Sequence, residues 1–478
     1  MKRSSAPDLR RQPSNMGPGR FLTGGTMGHV VRMTATGAMG ITFVFLVDAA
    51  NLFWISQLGD PQLVAAIGFA YAVQFFSVSV AVGLMIAATA VISRSIGMGN
   101  RDQARRQAGA GVVISACILA GVTALIVGFR HQLVGVAGAE GETARLAARY
   151  LAFTIPSLIP MSAALVLSGA LRADGYGAKA MYVTLFAGVV LMLIDPVLIF
   201  WLGWKLDGAA IGLVLFRLCL LGLAVYFAVI QMKLVDRPTA RTLRNIAGPF
   251  MVVAGPAIAT QMSTPAGNYL LTMVMAQYGD AAMAAWAVIG RLTVVVFGGV
   301  FALSGAIGGI FGQNYGAGQM ARVRSTYRDA LIFCLVYTLV AWALMLLATP
   351  YVIAAFGLTG VGVEVLQSFT LIGVGGFVFI SALFVSNAAF NNLGKPARST
   401  LVNWIKDGVL SYPAAAALTG AFGATGVIYG QALAGGVMGM IAATWGWFYV
   451  KGLRSPDGQA LDPVPPRAYP NPDKHRRR

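Results

Sequence analysis

The sequence predicts an all-α membrane protein in which twelve transmembrane helices form two parallel lobes of six helices each. The first observation behind this prediction is composition: of the 478 residues, 57% are hydrophobic and only 11% are charged, whereas soluble proteins carry about 25% charged residues. The other two observations are the length of the apolar runs and an internal repeat. The composition excludes a soluble enzyme.

Twelve apolar runs are long enough to cross a bilayer, which takes about 20 residues. Each run must be a helix, because an open strand leaves its backbone polar groups unsatisfied in lipid. In chain order, the predicted spans are 33–56, 62–92, 108–129, 148–170, 180–203, 208–231, 249–278, 282–311, 330–349, 363–390, 399–419 and 423–449.

The basic residues fall mainly on one side of these spans. There are 35 Lys and Arg against 17 Asp and Glu, a net charge of +18, and the loops of the opposite side hold only Arg130, Arg145, Arg149 and Lys205. By the positive-inside rule, the basic side, with both termini, is cytoplasmic. The charge therefore indicates topology in a membrane, with membrane lipids as partners and no nucleic acid.

The polar ends and one polar linker divide the chain. Residues 1–32 and 451–478 have compositions that cannot build a core and are predicted to be disordered cytoplasmic tails. Between them we expect an N-terminal lobe over 33–231, a cytoplasmic linker over 232–248 and a C-terminal lobe over 249–450.

The two lobes are predicted from an internal repeat. The segment SRSIGMGNRDQAR at 93–105 aligns with GQNYGAGQMARVR at 312–324, an offset of 219 residues, and Gly59, Gly175 and Pro196 have counterparts at nearly the same offset. Such self-similarity indicates duplication. Because each half has an even number of spans, the repeats are parallel and related by an axis along the membrane normal. Secondary transporters place a central site between such lobes.

No catalytic or metal-binding pattern is evident in the sequence. The cysteines, Cys117, Cys219 and Cys334, lie inside apolar runs without metal spacing, and the three histidines are scattered. A phosphate-binding loop and a G-x-S-x-G motif are also lacking. We expect a protein that is not an enzyme, binds no metal or cofactor, acts as a monomer and draws on an ion gradient.

Asp48 in the first span and Asp195 in the fifth are the acids most strongly indicated as functional. Counted from the outer ends of their helices, their depths differ by roughly 3 Å, so both carboxylates belong to one level of the N-terminal lobe. Burial and a like-charged neighbour favour the protonated form of a carboxyl group, which suits a proton-accepting role. The alternative is an ion pair of either acid with Arg217 in the sixth span. Pro196 should loosen the fifth helix beside Asp195.

Other polar and aromatic residues within the spans are candidates for lining a central cavity. Arg291, Lys406 and Asp407 are the charges at depth in the C-terminal half, and we favour a structural role for this trio. Aromatic rings and methionines suit a flat cation. The candidate cavity residues are Asn51, Trp54, Gln74, Gln261, Met262, Asn268, Arg291, Asn387 and Trp404.

Several motifs, taken in order, resemble those of the multidrug and toxic compound extrusion (MATE) transporters, over about residues 33–450. They are VDAANLFWISQLGDPQLVAAIG, RSIGMGNRDQARR with its counterpart GQNYGAGQMARVR, LRADGYGAKA and IDPVLIFWLGWKLDGAAIG. The resemblance implies export of organic cations, such as drugs, dyes or toxic metabolites, in exchange for H+ or Na+. It also implies that Asp48 and Asp195 are the cation-coupling pair.

Two departures from the family pattern bear on coupling. Members usually have Asn four residues before the acid of the fifth helix, where this chain has Leu191, which weakens a hydrogen-bonded network around Asp195. The acids of the Na+-coupled branch are replaced by Gln261 in the seventh span and by Asn387, Asn391 and Asn392 in the tenth. H+ coupling is therefore the expectation, with Na+ coupling or a flippase for a lipid-linked saccharide as the alternatives.

Overall fold

The computed structural model describes residues 19–454, apart from the side chains of residues 48, 49 and 61. The described residues form helices joined by turns. Twelve of the helices are long, and they match the twelve predicted spans one to one. They are α1 Thr26–Ser56, α2 Pro61–Gly97, α3 Arg101–Gly128, α4 Gly141–Ala173, α5 Gly177–Trp201, α6 Lys205–Gln231, α7 Ala240–Ala276, α8 Asp280–Gly316, α9 Met320–Phe356, α10 Val361–Asn392, α11 396–422 and α12 Thr425–Gly452. The predicted all-α fold is confirmed.

Eleven of these helices are long and apolar enough to cross a membrane. The exception is α11, which is continuous in the structure through Pro396–Trp404, Ile405–Leu410 and Ser411–Phe422. Its charged residues, Arg398, Lys406 and Asp407, lower its mean hydropathy. They do not shorten the helix.

Proline interrupts two helices near the polar groups of the N-terminal half. In α4 a 3-10 turn, Ile155–Ser157, contains Pro156. In α5 the regular helix ends at Pro196 and a wider π-helical turn, Val197–Trp201, follows. Since proline has no backbone N–H, it cannot continue the regular hydrogen-bond ladder. The prediction that Pro196 loosens the fifth helix agrees with this turn.

The two halves of the chain form two helical lobes, each with its own buried core. Leu84, Leu151 and Leu158 belong to the core of the first lobe, and Leu366 and Val427 to that of the second. Helices α1 and α2 of the first lobe pack against α8 of the second, and α2 also packs against α7.

Residues related by the repeat make reciprocal contacts between α2 and α8. A Cβ atom on Gly97 would lie 2.1 Å from the carbonyl oxygen of Gln313, and one on Gly316 would lie 2.2 Å from that of Arg94. Gly97 and Gly316 are 219 residues apart, and so are Arg94 and Gln313. A contact that repeats itself in this way marks a two-fold axis. The axis passes between α2 and α8, as predicted for parallel repeats.

The same two side chains bridge the lobes by hydrogen bonds that follow the repeat. Arg94 donates from Nη2 to the backbone oxygen of Asn392 at 3.1 Å, and Gln313 donates from Nε2 to that of Ala173 at 2.6 Å. We call this end of the molecule the basic face; it comprises the loops Met98–Asn100, 174–176, 232–239, 317–319 and 393–395. The opposite end is the far face. The lobes are closed against each other at the basic face.

The chain before α1 adds a further link at the basic face. Phe21 is fully buried, its N–H donates to Gln313 Oε1 at 3.0 Å, and its backbone oxygen accepts from Arg322 at 2.8 Å. Arg20 lies over the ring of Tyr176, 3.9 Å from its centroid. Residues 19–25 therefore touch both lobes, and α1 begins at Thr26. The predicted tail over 1–32 differs from this structure over 19–32, because apolar Phe21 and Val30 are buried; residues 1–18 and 455–478 lie outside the described part.

The loop between α4 and α5 is tied to α3 at the same face. Buried Asp174 forms an ion pair with buried Arg101. Burial raises the pKa of the Asp174 carboxyl, and the charge of Arg101 partly opposes that rise. In the predicted linker, Asp236 pairs with Arg105 at 2.6 Å, so that the start of the linker lies along α3.

Candidate functional site

A cleft separates the lobes toward the far face. The half of α8 nearer the basic face, which we call its inner half, contacts the first lobe through a row of glycines. They are Gly298, Gly305, Gly309, Gly312 and Gly316. Residues 284, 287 and 291 precede Gly298 by 14, 11 and 7 positions, close to whole turns of 3.6 residues, so they continue the same face. All three are exposed. The lobe-facing side of α8 is therefore packed in its inner half and open in its outer half.

Helix α2 shows the same change along its length. Gly83 packs against α7, where a Cβ atom would lie 2.6 Å from Ile258 Cα. Ala65, Ala72 and Phe76 stand 18, 11 and 7 positions before Gly83, on the same face, and are exposed. The two opposed outer faces define a cleft that opens to the far face and ends where Gly83 and Gly298 are packed.

Asp195 lies within the first lobe, where it is only 1% exposed. Asn51 of α1 donates from Nδ2 to Asp195 Oδ2 at 2.7 Å. The other carboxylate oxygen, Oδ1, has no hydrogen-bond partner among the described atoms. The Asp195 carboxylate therefore accepts one hydrogen bond, from a neutral amide, and its second oxygen accepts none from the described atoms.

Gly212 of α6 leaves the space that this carboxylate occupies. A Cβ atom on Gly212 would lie 2.1 Å from Asp195 Oδ1 and 3.1 Å from Leu191 Cδ1. Leu191, at the position where the family resemblance implies Asn, is buried and cannot donate a hydrogen bond. Asn51, from another helix, supplies the amide that Leu191 lacks.

Arg217 forms a separate polar cluster in the same lobe. It is buried and donates to the backbone oxygen of Thr154 at 2.7 Å, to Ser157 Oγ at 3.0 Å and to Gln74 Oε1 at 2.9 Å. The 3-10 turn after Thr154 frees that backbone oxygen from its regular helical partner. No ion pair joins Arg217 to Asp195 among the described side chains, so that alternative is not what this structure shows for Asp195.

The second predicted acid, Asp48, lies in α1, one turn of helix before Asn51. Its side chain is outside the described part of the structure. Its backbone position places it in the helix that supplies the partner of Asp195.

In the second lobe, Asp407 is held by its own neighbours. Ser263 donates to Asp407 Oδ2 at 3.0 Å, and Lys406 lies 2.5 Å from Oδ1. A Cβ atom on Gly267 would lie 2.8 Å from Asp407 Cβ, so α7 and α11 are in close contact there. The charges of Lys406 and Asp407 compensate each other, and neither contacts Arg291.

The remaining candidate cavity residues are spread over several places. Asn387 is buried and accepts from Asn403 at 3.0 Å within the second lobe. Trp404 donates to the backbone oxygen of Ala259 at 2.8 Å, between α7 and α11. Half-buried Trp54 packs edge-on against Phe200 at 6.2 Å. Gln261 and Met262 are half-buried on α7, where Asn268 is exposed.

Three residues of the first lobe were missed by the sequence reasoning: Thr154, Ser157 and Gly212. Pro156 is a signal for the break in α4, but it does not reveal which side chain meets the freed carbonyl. Gly212 stands in a run of small residues, DGAAIG, typical of close helix packing. Only the packing of α5 against α6 identifies Asp195 as the group it accommodates.

Replacing Gly212 with Ala should disturb the Asp195 carboxylate. The new methyl group occupies the position of Oδ1, so the carboxylate must turn away from Asn51 and lose a hydrogen bond worth about 1.5–3 kcal/mol. We expect transport by Gly212→Ala to fall at least about tenfold, measured as substrate flux into proteoliposomes. Gly222→Ala on the same helix is the control, because no atom lies within 4 Å of its Cβ position. Equal flux in the two variants would contradict the role of this contact.

Two repeat-related lobes of membrane-crossing helices, closed at one face and separated by a cleft toward the other, define a multi-pass membrane transporter. The model of the MatE family matches residues 38–197 and 256–417, one segment in each repeat. The chain belongs to this family, and the resemblance seen in the sequence is confirmed.

Relatives and a solved structure agree with this assignment. The chain is 26% identical over 394 residues to an FAD transporter of Shewanella oneidensis, covering 81% of this chain and 87% of that one. It is 24% identical over 251 residues to the multidrug export protein MepA of Staphylococcus aureus, covering 51% of this chain and 54% of that one. An outward-facing multidrug resistance MATE family transporter superposes with a TM-score of 0.85 at 21% identity, over 92% of this chain and 99% of that one.

Proposed function

We propose that this protein is a secondary antiporter that exports amphipathic organic molecules in exchange for H+. The two lobes rock about the cleft, and protonation of Asp48 and Asp195 is the coupling step. The observation that carries the proposal is the buried Asp195 carboxylate, whose Oδ2 accepts a hydrogen bond from Asn51 and whose Oδ1 has no hydrogen-bond partner among the described atoms. A negative charge there is poorly compensated, and a proton compensates it.

Orientation follows from the charges. We place the basic face and both termini in the cytoplasm of a bacterial inner membrane, with the protein acting as a monomer among membrane lipids. The cleft then faces outward, where protons enter. Neutralising Asp195 removes a buried charge from the first lobe and favours repacking that closes the cleft and opens the basic face.

H+ is a better supported coupling ion than Na+. A hard cation prefers several oxygen ligands, including carboxylates, whereas the hydrogen-bond partner of Asp195 among the described atoms is the amide donor of Asn51. In the second lobe, the Asp407 carboxylate is occupied by Lys406 and Ser263. Asn387 is engaged with Asn403.

The candidate substrates are the organic cations implied by the family resemblance, and similarity to a relative named as a multidrug export protein supports them. The relative named as an FAD transporter extends the candidates to a flavin nucleotide. What these molecules share is a flat ring system, and exposed Phe76 in the cleft is suited to contact one.

Flux of a fluorescent cation, ethidium, into proteoliposomes of purified protein tests the coupling. We expect uptake to follow an imposed pH gradient, to ignore a Na+ gradient, and to be lost in Asp48→Asn. Because Asn has nearly the same size as Asp, this substitution should leave the packing around position 48 unchanged. Uptake driven by Na+ would replace H+ as the coupling ion. Uptake that ignores both gradients, or an active Asp48→Asn, would remove the coupling role and favour a flippase for a lipid-linked saccharide.

A further inference from the structure

Arg291 is a charged side chain on the open face of the cleft, and the proton-coupled mechanism does not use it. It lies on α8 eleven residues after Asp280, about 16 Å from the far-face end of that helix. Gly298, where α8 meets Thr42 of α1, follows seven residues later, about 10 Å deeper. Arg291 therefore lies two helical turns above the floor of the cleft.

The guanidinium is available to a ligand. Arg291 is exposed, and it takes part in none of the ion pairs or hydrogen bonds of the described side chains. Asp280, on the same face of α8, is about 16 Å away along the helix axis, beyond ion-pair distance. The exposed positions of α2 across the cleft are Ala65, Ala72 and Phe76, which carry no charge.

An unpaired Arg at this depth is costly unless it faces water or a ligand. The position of Arg291 on the lobe-facing side of α8 satisfies that condition, because the same side is covered by the first lobe from Gly298 onward. The guanidinium keeps its charge and offers a planar set of donors that matches phosphate and carboxylate. Apolar walls focus its field within the cleft. A cationic substrate is repelled there and an anionic group is attracted.

We propose that Arg291 binds an anionic group of the substrate, a phosphate or carboxylate, while the flat part of the same molecule contacts the apolar wall of the cleft. The substrate class then includes amphipathic organic anions beside the organic cations, and such an anion binds more tightly than an uncharged molecule of the same shape. This inference rests on the proposed function, which it narrows: the site is the same cleft, and Arg291 determines its charge preference.

The test compares two probes that share one ring system and differ by a phosphate. Riboflavin is uncharged and flavin mononucleotide carries the phosphate; their binding to the purified protein is followed by flavin fluorescence. We expect wild type to bind flavin mononucleotide about 10- to 100-fold more tightly than riboflavin, the range for hydrogen bonds to a charged group. Arg291→Gln should abolish that preference, and Arg291→Lys should retain part of it.

Two further variants separate charge recognition from folding. Arg130→Gln removes the same charge from the short helix Arg130–Val136, which follows α3 at the far face, and should keep the full preference. Ala287→Glu places a carboxylate one turn from Arg291 and should weaken binding of flavin mononucleotide even if Arg291→Gln does not fold. Equal binding of the two flavins by wild type, or a preference that survives in both Arg291→Gln and Ala287→Glu, overturns the inference.

Transport distinguishes this inference from the proposed function. If ethidium is exchanged for H+ while flavin mononucleotide shows no preference over riboflavin, the anion site is wrong and the antiporter stands. If the Arg291-dependent preference is present but no probe follows the pH gradient, the anion site is supported and proton coupling is wrong.

Discussion

Asp195→Asn should uncouple transport from the proton gradient. Each coupled proton that moves down a gradient of one pH unit releases about 1.4 kcal/mol, which corresponds to about 10-fold accumulation of substrate, whatever the charge of the substrate. Asn has nearly the same shape as Asp but neither takes up nor releases a proton at this position. We therefore expect the accumulation ratio per coupled proton to fall from about 10 per pH unit to about 1, measured in proteoliposomes under an imposed pH gradient.

Binding provides a second readout for Asp195→Asn that a damaged fold does not reproduce. Substrate binding by wild type should change with pH, because substrate and proton favour different states of the protein. Binding by the variant should lose most of that dependence while its affinity at one pH stays similar. Asp102→Asn is the matched control, since Asp102 is exposed at the start of α3. Full proton-driven accumulation by Asp195→Asn would show that the carboxylate is not required.

Gly97→Ala should prevent closure of the basic face. The added methyl group would lie 2.1 Å from the backbone oxygen of Gln313 and 2.8 Å from its Cα, and backbone atoms of a packed helix cannot turn aside as a flexible side chain does. Overpacking of this kind costs about 1–3 kcal/mol or more, so the closed population should fall roughly 10- to 100-fold relative to the open one. The protein should remain folded, because the atoms nearest that methyl group all belong to Gln313 of α8 and the cores within each lobe are not touched.

Distances between spin labels report this change directly. In a background without Cys117, Cys219 and Cys334, labels at positions 98 and 317 flank the contact between α2 and α8. Wild type should show mainly short distances, and Gly97→Ala mainly long ones. Gly121→Ala in α3 is the control, as no atom lies within 4 Å of its Cβ position. Gly316→Ala should reproduce the effect of Gly97→Ala, because the two glycines are related by the repeat; a normal Gly316→Ala would contradict the two-fold contact.

Gly97 and Gly316 show which properties the sequence predicts and which depend on the tertiary structure. The repeat aligns Gly97 with Gly316 and Arg94 with Gln313, so the sequence alone predicts that the two positions in each pair are equivalent. That each glycine faces the partner of the other is a property of the assembled lobes. Alignment compares positions, whereas contact depends on where the helices pack.

Asp195 illustrates the same division within the site. The sequence singled it out because an acid in an apolar span is costly, and it included Asn51 among the polar candidates. Their hydrogen bond joins residues 144 positions apart, and no local pattern encodes it. The sequence also assigned Arg291 to a structural trio with Lys406 and Asp407, whereas the structure pairs Lys406 with Asp407 and leaves Arg291 exposed on the cleft.

By itself, the sequence determined the number of spanning helices, their order, the duplication and the family. These properties follow from local rules: a backbone in lipid must satisfy its own hydrogen bonds, and apolar length sets each crossing. The tertiary structure alone decided which face is closed, that residues 19–25 link both lobes, and that Gly212 accommodates Asp195. Those features depend on contacts between distant segments, where a single methyl group or a turn of helix changes which atoms meet.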